Sequence, residues 1–444
     1  TMTDYDRVLD AIQDRPLDTL PPPQLSQAKR CLLDLLGVAA GATATPLASH
    51  ASRYVASQHG GERPLLFTAA TASPTGVALH GGWLIDALDA HDGQVLTKGH
   101  CGVALLPGLL ALAEIEDTSG HEFLGLLALG YEVATRAGIA LHASSPDYHT
   151  SGAWNALGVA AVTARLRGLD RERLGHALGI AEFYGPRSQM MRCIDHPTML
   201  KDGSGWGAMG GVAATLLAED GFTGAPAVSL MSEDLDHIWS DFDTRDYLFE
   251  QYFKAYPVCR WAQPAVEAVL AIPAHQRRVE AIERIEIVTF HEARRLHSIE
   301  PSTTEAAQYS LPWSVACALD RGTIDVAGIG EDLGDIDLCA LARRVEVTES
   351  DEFNGVFPAE RWARARLHLR DGQVIESPAM EARGNPHNPL SDDEIGDKFL
   401  TLARPALGDR AESIAAVISD LERRPTTDLL RLLGPATPSD RTSL

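Results

Sequence analysis

Along this 444-residue chain the spacing of apolar residues changes period once and then changes back, and that double switch constrains the fold more than any other feature. Up to about residue 267 the period is helical almost throughout. Leu32, Leu33, Leu35 and Leu36 alternate with Arg30 and Asp34 in a helix that opens after Pro21-Pro22-Pro23 and ends near Gly41. Further Ala/Leu-rich helices are predicted at 75–89, 103–117, 121–141, 153–167, 171–183, 207–220 and 263–272. Two of them, Ala153 to Ala164 and Gly207 to Leu217, are apolar all round and belong at a domain centre. After residue 280 the period becomes two: Arg284 to Phe290 and Arg344 to Val347 read as half-buried strands. Ala363 to Leu369, Asp371-Gly372 and Val374 to Glu376 read as a hairpin. Helices are predicted between them at Ser310 to Leu319 and Asp325 to Leu341, and a capping box at Ser391 to Glu394 restarts the helical pattern. The order helix, mixed, helix implies a mainly α fold. In it a large all-helical domain (1–267 plus 390–444) is interrupted by a smaller α+β domain (268–389).

Composition narrows the class. With 45% hydrophobic and 22% charged residues the chain is globular, and 61 Asp plus Glu against 38 Lys plus Arg give −23, which repels nucleic acid and anionic membrane. Six Cys without a CxxC pair form neither a disulfide framework nor a zinc ribbon. The acidic N-terminus lacks the apolar run of a signal peptide, so a cytoplasmic location is expected. Only five residues are Lys, and three of them (Lys98, Lys201, Lys254) fall in the motifs below.

Four clusters carry chemistry. Asp86, Asp89, His91 and Asp92 stand where a helix breaks at Gly93, followed by Lys98, His100 and Cys101. Acidic groups at a helix C-terminus oppose its dipole, so local stability does not account for them. Tyr148-His149-Thr150-Ser151 precedes an apolar helix, where free N–H groups favour an anion such as a substrate carboxylate. The bland alternative is an N-cap beside a surface histidine. Lys201-Asp202-Gly203 leads into Gly205-Trp206-Gly207-Ala208-Met209-Gly210, which spells G-x-G-x-x-G but follows a polar turn rather than a strand. Those glycines suit close helix packing, with Lys201 at the mouth of a pocket. Lys254, Tyr256 and Arg260 lie among aromatics and prolines, a setting for carboxylate capture. P-loop, G-x-S-x-G and H-E-x-x-H motifs are absent from the sequence.

Taken in order, these residues resemble the MmgE/PrpD family of 2-methylcitrate dehydratases, cis-aconitate decarboxylases and iminodisuccinate epimerases. The resemblance runs through Asp34-Leu35-Leu36-Gly37, Asp89 to Asp92 with His100, Gly130-Tyr131-Glu132 and His149 with Gly158. It continues through Lys201 to Ala208, Gly221 to Gly224, Lys254 to Arg260 and Glu305 to Pro312. It implies an α+β lid over the helical domain, a homodimer, and an active site between the domains that needs no cofactor or metal. Carried over, that site comprises Asp89, His100, His149 and Lys201 as catalytic groups. Lys254, Arg260, His91, Asp92, Lys98 and Tyr256 are placed around the substrate. In this reading His100 and His149 exchange protons, Asp89 orients an imidazole, and Lys201, Lys254 and Arg260 bind a small anionic carboxylate. The chain departs from the family where Gly93 replaces a usual Thr, where Cys101 and Thr150 replace Pro, and where Gln263 replaces a common His. The expected reaction is α-proton abstraction with elimination, with decarboxylation or epimerisation as alternatives. Two distant alternatives are an HD-type metal phosphohydrolase using His91-Asp92 with His80, Asp89 and His100, and a binding protein without catalysis.

Overall fold

A computed structural model describes residues 3–435 and Thr437. Helices dominate it, among them α1 (Pro22–Ala42), α2 (Pro74–Asp86), α3 (Gly102–Ala111), α4 (Gly120–Ser144), α5 (Gly152–Arg167) and α6 (Ser204–Glu219). Their starts follow local chemistry. Ser73 accepts from the Gly76 amide with Pro74 in the first turn of α2, and Ser119 and Glu122 close a capping box on α4. Every residue of α5 from Gly152 to Ala164 is buried, and Gly168 ends that helix in the left-handed conformation.

α5 packs against α4 on one side and α6 on another, while α2 lies on α3 and α6. Glycine makes these approaches possible. A Cβ on Gly82 of α2 would lie 2.6 Å from the Cα of Gly205, and one on Gly211 would lie 2.5 Å from the Cβ of Val159. α4 is long and apolar enough to cross a bilayer, yet 89% of its most apolar window is buried by neighbouring parts of the protein.

Apart from a short antiparallel pair at Arg63–Pro64 and Thr71–Ala72, the strands follow α7 (Gln263–Ala271). β1 (Ile282–Thr289) pairs in parallel with β2 (Val345–Glu349) and antiparallel with β3 (Trp362–Leu369). β3 in turn pairs with β4 (Val374–Glu376) and β5 (Met380–Glu381). β3 alternates as its sequence predicts, burying Ala363, Ala365, Leu367 and Leu369, and α7 packs against it. α8 (Leu311–Arg321) lies beside α7 and β2. The chain then returns through α9 (Asp392–Leu407), whose predicted capping box forms between Ser391 and Glu394 and which packs along α1.

Two predicted helices are shorter than their apolar spacing suggests. Gly328, Gly330 and Gly334, the last at φ 86°, hold 325–335 in turns, so helix is confined to Ile336–Ala342 behind the Asp335 cap. The 103–117 segment breaks at Leu112, beyond which a 3₁₀ turn runs from Ala113 to Asp117.

Candidate active site

Three of the four non-glycine residues with positive φ are Asp89 (50°), Lys98 (51°) and Lys201 (52°). Such backbone costs free energy and persists where the surroundings over-determine it, often at functional sites. All three belong to one region, where the loop after α2, the turn before α6 and the segment 252–261 converge.

A narrow cavity there is lined by Asp89, Lys98, His100, Tyr252, Lys254 and Arg260, with Tyr148, Trp261, Tyr309 and Arg361 completing its wall. Its free space of about 20 Å³ holds about one water molecule. Lys254 Nζ donates to Asp89 Oδ1 at 2.9 Å and to the Asp89 carbonyl at 2.8 Å, both side chains being buried. Burial disfavours the Asp89 charge, but Lys254 and then Lys201 outweigh it and hold the carboxyl down at about 2. Asp89 Oδ2 keeps no hydrogen bond among the described residues.

His100 has its tautomer set by one contact. Its Nδ1 lies 2.5 Å from the carbonyl oxygen of Asp92, which can only accept, so Nδ1 carries the proton and Nε2 presents a lone pair. Burial, reinforced by Lys254, pushes the imidazole down to about 3 and keeps it neutral. Its backbone is fixed as well: the amide donates to Ser151 Oγ at 3.0 Å, and its carbonyl accepts from Asn155 Nδ2 at 3.1 Å. His91 packs behind it with ring centroids 4.4 Å apart, and neither His91 nitrogen has a partner among the described residues.

The cations differ in what they can still do. Lys98 lies 4.2 Å from the Tyr148 ring centroid. Lys201 donates to Gln308 Oε1, lies 4.8 Å from the Tyr309 ring, and forms part of the wall of a separate, mainly apolar cavity of about 650 Å³. Arg260 spends its Nη donors on neutral acceptors: the carbonyls of Phe253 and Arg383, Gln263 Oε1 at 3.1 Å and Asn385 Oδ1 at 2.7 Å. It therefore contributes charge rather than a free fork, and its burial lowers it to about 10. Gln263, where the family commonly carries a histidine, is thus one of the residues that hold this guanidinium.

Several predicted site residues lie elsewhere. His149 does not line the cavity; its Nδ1 donates to the Asp147 carbonyl at 2.7 Å and its ring lies beside His142. The start of α5 is capped by the protein's own Asp202 carboxyl, which accepts from the Ser151 amide at 2.8 Å and from the Ser151 hydroxyl. Burial, with Asp86 nearby, raises Asp202 to about 8. Tyr256 donates to Glu267 on α7 at 2.9 Å and stays outside the cavity. Asp92 supports the site from behind, its Oδ2 accepting from the Tyr131 hydroxyl at 2.5 Å; burial raises it to about 7. Burial also raises the thiols of Cys101 and Cys259, which keeps them protonated.

Asp89, His91 and His100 place one ligand atom each within 4.8 Å of one another, a set that could hold a metal. An HD-type centre is not what they form: His80 is outside the group, Asp92 is bonded to Tyr131, and the Lys254 ammonium occupies Asp89. Arg361, Tyr252 and Asp202 were missed as single residues. Arg361, which reaches the cavity from the sheet region and donates to the Val95 carbonyl at 3.0 Å, carries no motif at all.

The model of the MmgE/PrpD N-terminal domain matches residues 7–235, and that of the MmgE/PrpD C-terminal domain matches residues 256–423. The chain belongs to the MmgE/PrpD family. A curated relative, the "Cis-aconitate decarboxylase-like protein oryM" of Aspergillus oryzae, is 23% identical over 467 residues, covering 94% of this chain and 93% of its own. The matches to the two MmgE/PrpD domains take in the Asp89–His100 loop, Lys201 and Tyr256–Arg260, while Lys254 and Ala255 lie just before the second matched segment.

Proposed function

We propose that the protein is a lyase that acts on a small di- or tricarboxylate by removing a proton next to a carboxylate, using groups the chain itself supplies. The observation that carries this reading is the fixed tautomer of His100: an Nε2 lone pair facing a cavity whose charged wall is otherwise mostly cationic. A proton next to a carboxylate is removable only where the developing charge is compensated in a dry site. Lys98, Lys254, Arg260 and Arg361 provide that compensation, and Asp89 fixes Lys254. In the elimination His100 takes the proton from carbon, the released pair forms the double bond, and the C–O bond breaks. The imidazolium returns its proton to the departing hydroxyl, which leaves as water. An anionic substrate beside His100 raises the proton affinity of the imidazole, so a base held weak by burial strengthens when it is needed.

The name of the Aspergillus relative favours decarboxylation as a second reading. There a C–C bond breaks to release CO₂, and the carbanion takes a proton from a neutral donor. NMR with citrate-like and aconitate-like tricarboxylates tests both. A new vinyl resonance with release of water indicates the hydro-lyase, and loss of one carboxylate as CO₂ indicates the decarboxylase. A panel left unchanged contradicts the function.

The reading includes a homodimer. It is supported by Leu200 (77% exposed) and Trp206 (50% exposed) at the rim of the large apolar cavity, surface that a second copy would cover. The sheet-bearing region, which delivers Arg361, serves as the lid in this account, since a tricarboxylate needs far more room than one water.

A further inference from the structure

Gly93 marks the departure from the family with the largest local consequence, because the space its side chain would fill is taken. A Cβ on Gly93 would fall inside contact distance of the Tyr252 hydroxyl, 2.5 Å from Tyr252 Cζ and 2.8 Å from His100 Nδ1. Residues 93 and 252 are paired through their backbones, Gly93 N to Tyr252 O at 3.1 Å and Tyr252 N to Gly93 O at 2.8 Å. The phenol therefore stands where a residue-93 side chain would otherwise stand, next to the catalytic imidazole.

Its ring is held on two sides. The Arg260 guanidinium lies 4.3 Å from its centroid, and the His100 ring meets it edge-on at 6.5 Å. Tyr252 is 2% exposed and lines the cavity, and its hydroxyl bonds no described residue. Tyr148, another tyrosine on that wall, has already given its hydroxyl to the Lys98 carbonyl. Burial keeps the Tyr252 phenol above its ordinary value despite Arg361, Lys254 and Arg260, so at neutral pH it is protonated and can donate.

From this geometry we infer that Tyr252 is a substrate-contacting residue whose hydroxyl donates a hydrogen bond to a carboxylate oxygen of the substrate beside His100, in place of a donor from position 93. The inference rests on the proposed carboxylate chemistry and names a further specificity determinant for it. A neutral donor of fixed reach, set between Lys254 and Arg260, discriminates by where an oxygen sits, which point charges do less well. It also excludes substrates that need the volume the ring occupies.

The test compares the wild-type protein with Tyr252→Phe by calorimetric binding of citrate, cis-aconitate, tricarballylate and succinate. The substitution deletes an atom that bonds no described residue and leaves the ring packing intact, so equal thermal midpoints are expected. At least one of these carboxylates should bind the wild type and bind Tyr252→Phe about 10- to 100-fold more weakly, the range for a hydrogen bond to a charged group. Binding that agrees within twofold overturns the inference and leaves the proposed function standing. A wild type that binds none of the four overturns the proposed function, and this inference with it.

Discussion

Breaking the Lys254–Asp89 pair from the lysine side would leave a fully buried carboxylate whose second oxygen is already unpartnered. Lys254→Met is expected to cost about 3–5 kcal/mol of stability, the range for stripping one member of a buried pair, and to lower activity by more than the loss of folded protein explains. Denaturant unfolding read beside turnover per folded molecule checks this. The neutral His100 gives a second prediction. Its folded value of about 3 lies below the ordinary imidazole value of about 6.5, so the stability it contributes is present above about pH 6.5 and is lost as pH falls toward 3. Asp92 and Asp202, raised to about 7 and about 8, act oppositely: their contribution is present at low pH and lost as pH rises through those values. The difference in thermal midpoint between wild type and His100→Gln isolates the histidine. It should shift against the wild type between pH 6.5 and 4, and a difference constant with pH would contradict the assigned neutral imidazole. At this scale the sequence made Asp89, His100 and Lys254 legible through charge density at helix breaks. His149, grouped with them because a helix N-terminus favours an anion, does not line the cavity, and the Asp202 carboxyl, 53 residues further on, caps that helix start.

Among the elements, α2, α5 and α6 meet through glycines, and the G-x-G-x-x-G run is part of that contact rather than a nucleotide cradle. The turn before it is left-handed at Gly203 (φ 70°), and the element before that turn is a short helix, Met191–Asp195, not a strand. A Cβ on Gly207 would strike Asn155 Oδ1 and lie 2.7 Å from the Gly152 Cα. Asn155 holds both the His100 carbonyl and Ser204 Oγ, so the collision is transmitted to His100. Gly207→Ala is expected to cost about 1–3 kcal/mol by overpacking and to reduce turnover of the remaining folded protein; chemical denaturation and single-turnover rates measure the two effects. Apolar period made these helices and the β1, β2, β3 and β4 strands legible. It failed over 325–335, where apolar spacing continues but glycines and an aspartate cap decide the backbone.

For the molecule as a whole, a net charge of −23 coexists with a cavity wall carrying Lys98, Lys254, Arg260 and Arg361. The chain's return to α1 also serves the site. Lys398 on α9 donates to Asp34 on α1 at 2.6 Å and to the Ala90 carbonyl at 2.7 Å, tying α9 to the loop that carries Asp89. That tie was not legible in sequence, because it joins residues more than 300 positions apart and Lys398 stands in no motif. The resemblance to MmgE/PrpD proteins was legible, because the order of several weak motifs carries more information than any one of them. The central claim, that His100 removes a proton next to a carboxylate, is tested most directly by NMR in D₂O. Wild type and His100→Gln would be compared on a panel of di- and tricarboxylates, following deuterium at the carbon beside the carboxylate. The account predicts solvent deuterium in at least one compound or its product with the wild type, and a rate about 10²- to 10⁴-fold lower in the variant. Undiminished deuterium incorporation by His100→Gln, or none by the wild type, would contradict it.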